Sequence, residues 1–284
     1  MQIEEITLEP IVAAPPNELS RQAYLGDGGQ WDRNEDLLYR QLLRYAEDMR
    51  RLARDRAWAM AELQAARRET LFRLARMVEC NGSPGPTALL RIGILSALVA
   101  HELGMSDDYC DQLCTAAPLR DIGKMAVGCP RQGEAGESAG PSGMAMEDHP
   151  HVGAAILGGS FSPELQMAEA IALCHHEHVD GSGYPAGLTG TEIPLAARIV
   201  AVVDRFDELR RTGMQVAEAL SQLRGLAGTA FDHRVVAAMA QCVRDYQGIE
   251  ALLAKRHGKE TGLDEMNLLP HLWKVVASAR VPGV

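Results

Sequence analysis

From Leu38 onward the apolar positions fall at Leu38, Leu42, Tyr45, Met49 and Leu52, then past Arg56 at Ala59, Leu63 and Ala66. This is the alternating four-and-three spacing of a coiled-coil seam, and it predicts a helix of about 40 residues. Its flanks are basic: Arg40, Arg44, Arg50, Arg51 and Arg54 lead a set of arginines that outnumbers Glu47, Asp48, Asp55, Glu62 and Glu69. Such a helix either pairs with a second copy or lies along its own domain, and the seam favours a homodimer through residues 38–66. The helical period continues through Leu71, Leu74, Ala75 and Val78 and stops at Asn81-Gly82-Ser83-Pro84-Gly85-Pro86, a concentrated breaker.

Further helices are predicted in order. One spans 89–103, with Leu90, Ile94, Ala97 and Leu98 on one face and Gly104 closing it. Another opens at the capping cluster Ser106-Asp107-Asp108 and runs through Leu113 and Ala116 to Leu119-Arg120-Asp121-Ile122-Gly123-Lys124. The period disappears over the glycine-rich loop 128–143. It resumes near Met146, where Val152, Ala155 and Ile156 form the apolar face, and again over 164–177 through Leu165, Ala168, Ile171 and Ala172. After a second glycine loop, 181–190, Pro194 opens a helix whose stripe is Leu195, Ile199, Val202, Val203, Phe206 and Leu209. Two more helices follow at 216–226 and 234–246. No stretch reads as a convincing strand, so the expected fold class is all-α. Residues 1–34, with Pro10, Pro15, Pro16 and Gly26-Asp27-Gly28-Gly29, read as a poorly ordered arm. The expected organisation is this arm, a helical stalk over 35–69, a helical domain over 70–248 and a C-terminal helical extension over 249–284.

Composition narrows the function classes. A chain of 284 residues with 46% hydrophobic content can bury a full core. A net charge of -10 argues against a nucleic-acid partner, although a local basic or metal-lined pocket still accepts an anionic ligand. The 6 cysteines include no C-x-x-C pair, against both a disulfide framework and a thiolate zinc site. No apolar run approaches the roughly 18–20 residues of a membrane span, and the start Met1-Gln2-Ile3-Glu4-Glu5 is acidic where a signal peptide is basic. The expected location is cytoplasmic.

Chemistry concentrates in His175-His176-Glu177-His178-Val179-Asp180-Gly181-Ser182-Gly183-Tyr184-Pro185. Adjacent His175 and His176 would project about 100° apart on a helix, so they converge on one centre only near a helix end. Metal ligation is the first hypothesis; a solvated helix terminus with histidines near the last carbonyls is the other. Asp204 lies at the edge of the buried stripe, where an unpaired carboxylate is costly.

Read together, the runs 119–124, His149-Pro150, 175–185 and Ile193-Pro194-Leu195-Ala196-Ala197-Arg198-Ile199 with Asp204 resemble the HD-GYP family. This is the bacterial branch of the HD phosphohydrolases that hydrolyses cyclic di-GMP. The resemblance covers about residues 70–245 and implies an HD-type helical bundle around a cluster of iron or manganese ions. It implies metal ligands at Asp121, His149, His175, His176 and Asp204, with Asp121 and Lys124 serving catalysis and Lys124 neutralising a phosphate. Gly183, Tyr184 and Pro185 match the name-giving loop, which in the family is linked to contacts with diguanylate cyclase domains. Glu177 and Asp180 are expected to orient the histidines and the loop, and Arg198 to pair with one of those acids.

The departures are as informative. Arg120 stands where the family has the histidine of its HD pair, Ala88 where it has an earlier histidine, and Pro84 where trimetal members have a carboxylate. A guanidinium is a permanent cation with no lone pair to give, so Arg120 is expected to take the charge role of a lost ion, pairing with Asp204 and Asp121. The basic segment that follows Asp204-Arg205-Phe206-Asp207-Glu208-Leu209 is shortened to Arg210-Arg211-Thr212-Gly213. The expectation is at most one or two divalent ions, iron or manganese before zinc, or none. Three readings stay open: a degenerate module with reduced or absent phosphodiesterase activity that works by binding cyclic di-GMP or a related nucleotide, an active single-metal phosphodiesterase, and a metal-free scaffold. His101, His151, His178, His233, His257 and His271 match no ligand position and are expected on helix surfaces.

Overall fold

A computed structural model describes residues 33–79, 86–127, 146–243, Tyr246, Gly248, Glu250 and 272–278. The elements are α1 (Arg33–Glu79), α2 (Pro86–Glu102), α3 (Asp107–Ala116), α4 (Lys124–Val127), α5 (His149–Leu157), α6 (Pro163–Cys174), α7 (Leu195–Arg211), α8 (Val216–Gly225) and α9 (His233–Cys242). Short 3-10 turns occupy Ala117–Leu119, Met146–Asp148 and Gly190–Glu192, and a further helical segment covers 272–278. Among the described residues, extended pairing is limited to the isolated bridges Asp180 to Thr189 and Ala227 to Phe231, so the protein is all-α as its periodicity indicates. The expected arm up to residue 32, the glycine loop 128–143, Pro84, Cys80, Cys129, His257 and His271 lie outside the described residues.

By its contacts the chain divides into residues 1–61 and 62–284. In the first unit α1 exposes its apolar seam, Leu38, Leu42, Tyr45, Met49 and Leu52 included. In the second, the end of the same helix buries Leu71, Phe72, Ala75 and Val78, and Arg67 bonds Ser162 and Glu164 at the start of α6. The core of this unit is built on α2, where Leu89, Ile92, Ile94, Leu95 and Leu98 are fully buried. A helix apolar on every side must be enclosed, and α3, α7 and α9 enclose it. α6 packs in turn on α3, α5 and α7. Trp273, from the segment 272–278, is buried and donates its indole N–H to Asp111 at 2.8 Å, with Lys274 on the same carboxylate at 2.9 Å.

Caps set the helix starts: Ser106 accepts the Tyr109 N–H, Ser162 that of Leu165 and Asp232 that of Arg234. Two helices end earlier than their periodicity suggests. α3 stops at Ala116 instead of running to Lys124, because Pro118 has no N–H to continue it and the chain turns through Ala117–Leu119 into a corner at Arg120-Asp121. α6 stops at Cys174, with His175 as its cap residue, so Glu177 lies beyond the helix. The corner fits against α5 only because residue 123 is glycine: a Cβ there would stand 2.0 Å from the His149 carbonyl oxygen. Gly153 likewise faces Ala172, where a Cβ would meet its methyl at 3.2 Å, bringing α5 close to α6.

Asp207 of α7, 1% exposed, binds Arg91 of α2 at 2.7 Å and Arg211 at 3.3 Å. Removing the carboxylate leaves Arg91 beside the core without its partner. Asp207→Ala is expected to lower unfolding stability by about 3–5 kcal/mol, read as a shift of the urea midpoint at unchanged slope; a loss under about 1 kcal/mol would show the pair to be solvated in practice.

Candidate metal centre

The two shortened helices and the two close-approach glycines bring distant residues together. Asp121 comes from the corner after α3, His149 is the first residue of α5, and His175 and His176 leave the end of α6. One ligand atom from each of these residues lies within 4.8 Å of the others. The Nε2 atoms of His149 and His175 are 3.3 Å apart, and each is 3.5 Å from Asp121 Oδ1. His149 Nδ1 donates to the Met146 carbonyl at 2.7 Å, and His175 Nδ1 donates to those of Ala172 at 3.0 Å and Ile171 at 3.1 Å. A carbonyl only accepts, so Nδ1 holds the proton and a neutral ring turns its Nε2 lone pair toward Asp121.

The residues therefore fit a cation. Nε2 of His149, Nε2 of His175 and the Asp121 carboxylate are acceptors facing one another, and they are stable together only around positive charge, either a shared proton or a metal ion. Burial opposes the charge on Asp121, but the Arg120 guanidinium and the Lys124 ammonium outweigh it and hold its carboxyl well below the usual carboxylate range. Burial, with His175 and His149 beside it, pushes His176 down to about 2, so its ring is neutral and its lone pair available. An octahedral ion with ligands at about 2.1 Å has opposite ligand atoms about 4.2 Å apart, so small side-chain movements close this set onto one ion.

Around the cluster the charges are laid out unevenly. Lys124 Nζ is 2.7 Å from Asp121 Oδ1. Arg120 is 7% exposed; its Nε is 2.9 Å from Asp204 Oδ1 and its Nη2 is 3.5 Å from Asp121 Oδ2. Asp204 thus faces Arg120, and its oxygens stand outside the four-residue group. Ala88 is buried, 2% exposed.

The loop after α6 folds back on the site. Glu177, buried, accepts the N–H groups of Ala186 at 2.7 Å and Leu188 at 3.0 Å. Asp180 accepts the Ser182 N–H at 2.9 Å, and His178 bonds the Ser182 hydroxyl at 2.9 Å. Gly183 lies on the His176–His178 backbone, where a Cβ would be 2.3 Å from the His178 nitrogen. Tyr184 stacks on His176, ring centroids 4.7 Å apart and planes 14° from parallel, and Pro185 follows it in cis. Burial, with Glu147 and Asp121 near, raises the Tyr184 phenol to about 12, so it remains a donor.

Several residues sit differently from their sequence reading. Arg198 pairs with neither Glu177 nor Asp180; it donates to Asp232 at 2.6 Å and to the Ile193 carbonyl at 3.0 Å, tying the start of α7 to the cap of α9. Its partner lies 34 residues on, beyond any local pattern. The histidines are oriented by backbone carbonyls, and Glu177 and Asp180 order the loop. His151 and His233 are exposed, as expected of surface histidines, and His101 packs its ring on Trp273 at 5.5 Å.

Comparison with known proteins places these observations. Residues 46–235 match the family model for the HD domain. The chain is 39% identical over 186 residues to the cyclic di-GMP phosphodiesterase response regulator RpfG of Xanthomonas campestris pv. campestris, covering 64% of this chain and 49% of that protein. It is 37% identical over 160 residues to a cyclic di-GMP phosphodiesterase of Thermotoga maritima, covering 55% and 44%. The chain spans about half the length of these relatives, or less. Among solved structures, the cyclic GMP-AMP-specific phosphodiesterase V-cGAP3 of Vibrio cholerae aligns with a TM-score of 0.51 at 17% identity, over 76% of this chain and 60% of that one, a likeness of fold.

The Glu177 clamp has a local signature. Glu177→Gln removes the charge that holds two loop amides, and the Ala186 and Leu188 N–H groups are expected to exchange with solvent about tenfold faster, measured by hydrogen exchange. Unchanged exchange at both amides would show that the loop is held by other contacts.

Proposed function

The chain belongs to the HD domain family, in its HD-GYP branch, and on that premise we propose that it is a cyclic di-GMP signalling module whose metal site holds a single divalent ion. Its phosphodiesterase activity is reduced or absent, and it acts by binding. The observation that supports this most is the place of Arg120, buried with its guanidinium on Asp204 and beside Asp121, in the charge position a second ion would take. Ala88, buried where the family has an earlier histidine, offers no imidazole.

Asp121, His149, His175 and His176 would hold the ion, with iron or manganese the best match to imidazole and carboxylate donors and zinc next. Such an ion polarises a phosphodiester and lowers the pKa of a bound water. The protein's own groups do the rest. Backbone carbonyls keep the Nε2 lone pairs inward, Lys124 holds a positive charge 2.7 Å from Asp121 for a phosphate oxygen, and Tyr184 stacks on His176 at one flank of the site. Arg120 stays on Asp204 and balances the half-buried acids.

Lys124 also favours a second reading, an active phosphodiesterase running on one ion, because a phosphate-binding cation beside a metal ligand is the arrangement such a reaction needs. A third, metal-free scaffold reading has no observation in its favour beyond the acids Arg120 already balances. The ligand is cyclic di-GMP or a related cyclic dinucleotide, a diguanylate cyclase domain is the partner proposed for the Gly183-Tyr184-Pro185 loop, and the chain forms a homodimer through residues 38–66. The stalk, the domain from 70 to 248 and the extension from 249 complete this reading. Among the described residues no helix is long and apolar enough to cross a membrane.

One set of measurements tests it: metal content of protein prepared without oxygen, with cyclic di-GMP binding and hydrolysis on the same sample. The expected result is about one ion per chain, none in Asp121→Ala, an increase in Ala88→His/Arg120→His, and micromolar nucleotide binding with turnover near the metal-free control. Turnover clearly above that control and abolished by Asp121→Ala would establish the second reading, and no metal under any loading would establish the third.

A further inference from the structure

In heptad terms, α1 places Leu38, Tyr45, Leu52, Ala59 and Ala66 at d, and Leu42, Met49, Arg56 and Leu63 at a. The large apolar members of this seam are between 57% and 66% exposed. A helix draws most of its stability from an enclosed apolar face, and this one carries a seam roughly 40 Å long at 1.5 Å per residue. The matching surface is the seam of a second copy.

The flanking charges then select how the copies meet. Asp48, Asp55 and Glu62 occupy successive g positions, whereas the e positions beside the same stretch are Ala46, Ala53 and Met60. In an antiparallel pair the g row faces the other g row, acid against acid in any register. In a parallel pair each g position faces the e position five residues on in the second copy, so Asp48 meets Ala53, Asp55 meets Met60 and Glu62 meets Arg67, with no acid against an acid. Arg56 is the polar break in the a row. In a parallel pair in register it enters a hole lined by Leu52, Asp55, Arg56 and Ala59 of the second copy. There Asp55 supplies the opposite charge, and the small Ala59 leaves room for the guanidinium. A slip of one heptad would separate the two arginines and set each against Met49 or Leu63. Among the described residues of its own chain Asp55 makes an exposed contact with Arg51 at 3.9 Å, which leaves it able to reorient.

We infer that the homodimer is parallel and in register, with one polar layer of paired Arg56 and Asp55 side chains setting both orientation and register. The inference rests on the homodimer reading above and goes beyond it in direction and in the residues that decide it.

The test uses the full chain with cysteines placed in the seam, the wild-type protein controlling for its own cysteines. Leu42→Cys and Leu63→Cys proteins, each oxidised alone, are expected to give disulfide-linked dimers, and a mixture exchanged before oxidation is expected to give no link between the two variants. Arg56→Glu is expected to weaken dimerisation at least about tenfold in sedimentation equilibrium while far-UV circular dichroism shows the helix retained. Adding Asp55→Arg to it is expected to restore the dimer. A link between Leu42→Cys and Leu63→Cys would overturn the orientation while leaving the homodimer standing. A dimer indifferent to Arg56→Glu would overturn the polar layer, and a monomer at every concentration would overturn the homodimer itself.

Discussion

Everything at the centre of this molecule depends on positive charge being present among half-buried acids and the imidazoles beside them. Asp121 is shared between a lysine, an arginine and two ring nitrogens, and Asp204 is met by the arginine. A half-buried carboxylate without a partner is costly, and the bundle sets cations beside both of these acids. The structure supplies one half covalently, as Arg120, and leaves the other half as a ring of acceptors. The steric condition for this is a pair of glycines. Gly123 and Gly153 let the Asp121 corner, α5 and α6 approach until three separate segments share one centre.

The large features of the fold were legible from periodicity. The four-and-three seam became α1, the helix read over 89–103 from the face Leu90, Ile94, Ala97 and Leu98 became the enclosed helix α2, and the Leu195 to Leu209 stripe became α7. The ends were harder, for physical reasons. Hydrophobic spacing persists past Pro118, so the pattern alone carried α3 on to Lys124, yet the missing N–H broke the ladder there. The same spacing carried α6 to Glu177, whereas the chain leaves the helix after Cys174, which is how two adjacent histidines come to face one centre.

The site was legible in residue type and less so in pairing. Arg120 on Asp204 could be anticipated because an acid at the edge of a buried stripe needs a cation and the sequence offers one beside Asp121. Arg198 on Asp232 could not, since the motif offers Glu177 and Asp180 as nearer acids and its true partner arrives only when α9 folds back. The hydrogen bonds that aim His149 and His175 go to backbone carbonyls of their own helical turns, which no side-chain motif can announce. Loop order likewise comes from Glu177 binding main-chain N–H groups, a role set by where the loop closes.

Arg120 carries one further consequence. A metal ion has to be found, competed for and kept, and its occupancy follows the supply of the surroundings. A guanidinium is part of the chain from synthesis, cannot be chelated away and does not change its charge between acid and neutral pH. The charge of Asp204 is therefore met as soon as the bundle closes, whatever the supply of metal.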